Sequence, residues 1–209
     1  MKIAHHLIFT AALAFVQPAL AEPKQHQINV LAGSAGAGSS KLENFDTHVK
    51  AKDGDALMLI YNAFAGFKDE DVHLYYELLA AKTDITPVLN IEGSIREVTL
   101  DTTHLHIGGT YEWQSAKYFQ PYFGMTFGRS SVESNTGQDD SFWGFSAATG
   151  FNIPVGEHFA IRADARAFLM RWDNDTALLC AVSEEPCEIN LNENSWLHHQ
   201  FTLGAAFRF

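Results

Sequence analysis

The sequence predicts an all-β chain: eight antiparallel strands closed into an up-and-down transmembrane β-barrel. Three observations lead there. Apolar and polar side chains alternate with period two through eight segments. The connections between those segments alternate between long and short. After the N-terminal region, no stretch approaches the 18 or so consecutive apolar residues that a membrane helix requires.

The N-terminal residues are expected to be a secretory signal peptide. Met1-Lys2 supplies the positive start, Ile3 to Val16 is mostly apolar, and Ala19-Leu20-Ala21 is an A-x-A cleavage site. Residues 1–21 are therefore set apart from fold reasoning, and residues 22–209 form the barrel domain. A net charge of −11 argues against nucleic acid as a partner, which would demand clustered Lys and Arg. With 15 Gly and 16 Phe against 6 Pro and 4 Met, the composition leans towards strands with close approaches and bends.

The eight expected strands are Gln27–Ala37, Asp55–Gly66, Asp71–Lys82, Val98–Trp113, Phe119–Ser131, Ser141–Ile153, Phe159–Trp172 and Trp196–Phe209. Alternation is clearest late in the chain. In the last segment Leu197, His199, Phe201, Leu203, Ala205, Phe207 and Phe209 share one face, opposite His198, Gln200, Thr202 and Arg208. In the seventh, Phe159, Ile161, Ala163, Ala165 and Ala167 oppose Arg162, Asp164 and Arg166. The second segment, with Ala56-Leu57-Met58-Leu59-Ile60-Tyr61, is apolar on both faces and its facing stays open. Long loops are expected at Lys41–Gly54, Thr83–Glu97 and Asp173–Ser195, and a medium one at Val132–Asp140. Short turns are expected at Phe67–Glu70, Gln114–Tyr118 and Pro154–His158. With both termini in the periplasm, every long loop falls on the outside.

A soluble lipocalin-like barrel, carrying a small apolar ligand, has the same strand count with its faces reversed. The charged face here can pair internally, its opposite is lean in Ala, and Trp113 and Trp143 sit near opposite ends of the apolar face, as aromatic girdles do.

Thr202-Leu203-Gly204-Ala205-Ala206-Phe207-Arg208-Phe209 resembles the β-signal read by the barrel-assembly machinery, with Thr202, Gly204, Phe207 and Phe209 at the matching positions. Gly108-Gly109-Thr110-Tyr111, Pro121-Tyr122-Phe123-Gly124 and Gly150-Phe151-Asn152-Ile153-Pro154 are similar to stretches of the small outer-membrane β-barrel superfamily that includes OmpA/OmpX-type barrels. The resemblance implies Sec-type export to the outer membrane of a Gram-negative bacterium. It implies outer-membrane lipid and, during biogenesis, the assembly machinery as partners, and a monomer.

By parity the lumen should carry His73, Tyr75, Glu77, His104, His106, Glu112, Arg162, Asp164, Arg166, His198 and Arg208. Buried charges must be paired, so a plugging ion-pair network is expected rather than a proton path or a His104/His106 metal site. An enzyme that modifies lipid A is the rival class. Its nearest nucleophile and base are Ser34 and His199, with no acidic third group evident. The Gly33–Gly38 run lacks the Lys of a phosphate loop, and Asp53-Gly54-Asp55 and Asp173-Asn174-Asp175 lack EF-hand spacing. Cys180 and Cys187 are expected to form a disulfide in the last loop, worth roughly 2–3 kcal/mol against the unfolded chain. The expected function is an envelope-structural or surface-interaction role, with no cofactor, no metal and no catalysis, and with long loops available to an extracellular ligand or host surface.

Overall fold

The computed structural model describes residues 26–37, 40–41, 48–69, 72–91, 94–97, 99–114, 118–135, 139–171 and 195–209. The expected signal peptide and both cysteines lie outside the described residues. Eight long strands are present: β1 (His26–Ala37), β2 (Gly54–Asp69), β3 (Val72–Ile91), β4 (Leu100–Trp113), β5 (Gln120–Ser134), β6 (Asp139–Pro154), β7 (Phe159–Arg171) and β8 (Ser195–Arg208). Each pairs antiparallel with the next, and β8 pairs antiparallel with β1, so the sheet closes on itself. Closure gives every long strand two partners and removes the free edges that lipid will not tolerate.

The register fixes the stagger of the ring. Trp143 pairs with Arg129, then the path runs through Leu105, Ala80, Leu59, Val30, Ala205 and Ile161 and returns to β6 at Ile153, ten residues from its start (153 − 143). Such a stagger tilts the strands by roughly 35–45°. Residues paired across strands therefore stand at different heights along the barrel axis.

The faces divide as parity requires. Ile107, Leu105, Met125, Phe145, Leu169, Leu203 and Phe201 point outward and are more than 45% exposed. The soluble lipocalin-like alternative, which needs these side chains inside, is thereby corrected. The open question of β2 resolves: Met58 and Ile60 point inward and are buried, whereas Leu57 is half exposed on the outer face.

Several expected boundaries differ, and β2 runs to Asp69 through most of the turn expected at Phe67–Glu70. The third strand continues past Lys82 to Ile91, pairing with β4 and with the short strands His48–Lys52 and Ser94–Glu97. Most of the expected Thr83–Glu97 loop is therefore a tall hairpin. Likewise β5 runs to Ser134 and β6 begins at Asp139, shortening the connection expected at Val132–Asp140. Near its other end β2 shifts register between Phe64 and Lys68, a local irregularity beside the turn to β3.

Candidate functional site

The interior is layered along the axis. At the turn end, where His26 and Phe209 meet, Arg208 donates through Nη1 to Gln120 Oε1 at 2.8 Å and through Nη2 to Glu112 Oε1 at 3.2 Å. Glu112 also accepts from Asn152 Nδ2 at 2.5 Å and from Gln114. Beside it Gln27, Asn29 and Asn62 form a buried amide chain, with Asn29 Nδ2 donating to Asn62 Oδ1 at 2.9 Å.

The middle layer is ionic. Arg166 Nη2 lies 2.8 Å from Glu77 Oε1, and Arg166 Nε lies 3.4 Å from Asp164 Oδ1. Arg162 Nη2 is 3.6 Å from Asp164 Oδ2, and its guanidinium stacks 3.9 Å over the Tyr122 ring. Tyr122 donates to Asp164 at 2.6 Å, Thr110 donates to Glu77 at 2.5 Å, and Arg166 donates to Ser146 at 3.0 Å. Side chains of Arg162, Arg166, Asp164 and Glu77 are essentially inaccessible to solvent. Two arginines and two carboxylates thus face one another in this layer, and Arg208 with Glu112 adds a third pair at the turn end, which offsets the desolvation each charge suffers.

Towards the loop end, imidazoles replace charge. His104 stacks on Phe168 with centroids 4.1 Å apart and on His198 at 4.9 Å. His104 Nδ1 shares a hydrogen bond with Ser130 at 2.7 Å, and His106 Nδ1 shares one with Thr126 at 3.2 Å. Among the described residues no group of three or more His, Cys, Asp or Glu is placed to hold a metal ion. Above the imidazoles the mouth is apolar. Ile85, Leu100, Val132, Met170 and Trp196, with Thr102 and His198, enclose a cavity of only about 10 Å³.

Of the residues expected in the lumen, Glu77, His104, His106, Glu112, Arg162, Asp164, Arg166 and His198 are buried and point inward, and Arg208 lies at the turn end. His73 is half-buried and shares a 3.3 Å hydrogen bond with Tyr75. Sequence reasoning missed the apolar wall opposite the charges, where Leu31, Met58, Ile60, Leu79 and Ala81 pack with Phe168. It also missed the hydroxyl partners Thr110, Tyr122, Thr126, Ser130 and Ser146, whose inward parity was the available signal.

The seam between β8 and β1 carries Thr202, Gly204, Phe207 and Phe209, the positions expected to form an assembly signal. Thr202 is buried and faces inward, while Phe207 is 41% exposed on the outer face. Phe209 N–H donates to His26 O at 2.9 Å, and His26 N–H donates to Phe209 O at 3.0 Å. Gly204 sits opposite Leu31, where an added Cβ would meet the Val30 carbonyl oxygen at 1.9 Å. Ser34 and His199 share the outer face but are not directly opposed: Ser34 pairs with Phe201, and His199 pairs with Gly36. An added Cβ on Gly36 would meet Asp53 Oδ1 at 2.8 Å and His199 Nε2 at 2.9 Å, so a carboxylate does stand beside that imidazole.

An outward apolar wall around a charged interior is the arrangement of a barrel that spans lipid. The sequence matches the family described as outer membrane protein beta-barrel domain over residues 7–209. The chain belongs to that family. No curated protein sequence matches it. Among solved structures, the Neisserial surface protein A is similar with a TM-score of 0.52 at 14% identity, covering 90% of this chain and 100% of that one. The outer membrane protein AlkL in lipid bilayers gives 0.53 at 12% identity, covering 92% and 94%. OprG from Pseudomonas aeruginosa gives 0.50 at 11%, covering 90% and 97%. At such identities the likeness concerns the fold. The family and the fold together place this protein in the outer membrane of a Gram-negative bacterium.

Proposed function

We propose that this outer-membrane barrel has a plugged, non-conducting lumen and acts as an envelope-structural or surface-interaction protein without catalysis. The observation that carries the reading is the filled interior. The Glu77–Arg166–Asp164–Arg162 cluster occupies the middle, and the cavity among Ile85, Leu100, Val132, Met170 and Trp196 beyond it is about 10 Å³, roughly the space of one water. A solute would have to break buried ion pairs and displace Trp196 and Met170 to pass. The loop-end surface would be left to meet extracellular partners. The barrel-assembly machinery would recognise the β8 pattern Thr202, Gly204, Phe207 and Phe209 during biogenesis.

Planar-bilayer recording of the purified, folded protein tests the lumen. The expected trace has no stable open steps; reproducible unitary conductance would overturn the plugged reading. The lipid A-modifying alternative gains one observation, the Asp53 carboxylate beside His199. Mass spectrometry of lipid A from cells with and without the protein discriminates. Unchanged acylation is expected, and a chain lost only when Ser34 and His199 are both intact would establish the enzyme.

A further inference from the structure

We propose that the outer wall at the loop end holds a binding site for the phosphate headgroup of an outer-leaflet glycolipid, built from Arg129, Trp143 and Arg171. Trp143 points outward from β6 and is 54% exposed. On one side it pairs directly with Arg129 of β5, whose guanidinium carbon lies 5.2 Å from the indole centroid. On the other side Met170 of β7 pairs with Gly144, so the next residues along, Arg171 and Trp143, stand side by side on the same face.

The surrounding groups are hydrogen-bond donors. Ser131 pairs with Ser141, which also accepts a hydrogen bond from Arg129, and Ser195 pairs with Arg171. Among the described residues no carboxylate is a direct cross-strand neighbour of this trio; the nearest along the chain is Asp140, three residues from Trp143, whose Oδ1 accepts the Ser141 N–H at 2.7 Å. Glu133 and Asp139 stand four residues further along β5 and β6, roughly 13 Å away at the strand rise. The opposite sector of the rim has the reverse character. There Asp55, Asp84 and Asp101 gather around Lys82, whose ammonium lies 3.9 Å from Asp101. Arg129 and Arg171 thus stand on β5 and β7, whereas the three carboxylates around Lys82 stand on β2, β3 and β4.

The height of the trio selects a lipid occupant. On the outer face of β6 the residues beyond Trp143 towards the turn end are Phe145, Ala147, Thr149, Phe151 and Ile153. Towards the loop end they are Ser141 and Asp139. Trp143 thus marks the boundary between hydrocarbon and headgroups, where amphipathic rings settle. β5 and β7 are two strand spacings apart, roughly 10 Å, so both guanidiniums can reach one phosphate over the indole. Guanidinium binds phosphate bidentately, and does so most strongly at a site shielded from water. Below the trio, Ala147 and Ala167 form a shallow outer trough for acyl chains beside Phe145 and Leu169.

The test is lipid retention by the full-length protein folded into nanodiscs, read by native mass spectrometry. The probes are bisphosphorylated lipid A and its dephosphorylated form. Wild type should retain the phosphorylated form preferentially. Arg129→Gln/Arg171→Gln should weaken that retention about tenfold or more, the scale expected from two basic contacts at an anionic surface. Lys82→Gln, a rim cation in the acidic sector, should leave it unchanged. Equal retention of both lipids, or equal losses in the double variant and Lys82→Gln, would overturn the site. Displacement of lipid A by inorganic phosphate at the same concentration would reassign it to a free anion and overturn the lipid claim. Heat-modifiability on a gel confirms that each variant is folded, and the single variant Arg171→Gln, at the end of β7, serves if the double variant is not.

Discussion

The middle of the lumen is decided by single residues. Arg166 is shared between Glu77 and Asp164, while Asp164 also has Arg162 and Tyr122. Removing Arg166 takes away the ion pair of Glu77 and leaves it the Thr110 hydroxyl and the more distant Arg162 in an enclosed space. Arg166→Met is therefore expected to cost about 3–5 kcal/mol, the usual penalty for stranding a buried charge. Arg166→Met/Glu77→Met removes both charges and should recover much of that loss. Urea unfolding from lipid vesicles measures both variants. A double variant no more stable than Arg166→Met alone would show that the pair is not the unit of stability here. This comparison matters because it separates the contribution of charge balance from that of any one contact.

At the scale of elements, closure depends on β8 reaching β1 in register from Arg208 opposite Gln27 to His198 opposite Ala37. Gly204 sits within that seam, and a methyl group there would meet the Val30 carbonyl of the partner strand. Gly204→Ala should lower the folded, heat-modifiable fraction, whereas Ala205→Val, one residue along and facing lipid, should be tolerated. Equal folded fractions for the two variants would remove the glycine's special role. The legibility of the strands follows the same logic. β6, β7 and β8 could be read because each has a polar lumen face and an apolar lipid face. β2 could not, because its inward Met58 and Ile60 pack on Leu31, Leu79 and Phe168 and so look no different from its lipid face. The upper half of β3 was obscured by Asp84, Pro87 and Asn90, residue types that favour turns. Pairing with β4 and the two short strands supplies the backbone partners that local propensity did not anticipate. Parity indicated which charges share the lumen. It carried no information about height, so the separation into an ion layer, an imidazole layer and an apolar mouth emerged only with the ten-residue stagger.

For the whole molecule the decisive surroundings are lipid, and the outer wall should register depth. Along β4 the outward residues run from Trp113 at the turn end through Tyr111, Ile107 and Leu105 to Asp101 at the loop end. Ile107 is 65% exposed and lies midway along that band. In water such a residue tolerates substitution well, but in lipid an arginine at mid-depth must be buried without its hydration. Ile107→Arg is therefore expected to destabilise the barrel by about 2–4 kcal/mol, and Asp101→Arg at the rim by about 0–1 kcal/mol. Urea titration in vesicles, followed by tryptophan fluorescence, reads both costs. The same pair in detergent micelles should show a smaller gap, because a micelle deforms around the charge more readily than a bilayer. Equal costs in vesicles would mean that β4 does not cross the hydrocarbon at the depth its sequence of side chains assigns. A graded cost would tie the position of Trp143 and its arginines to the headgroup boundary, on which glycolipid binding depends.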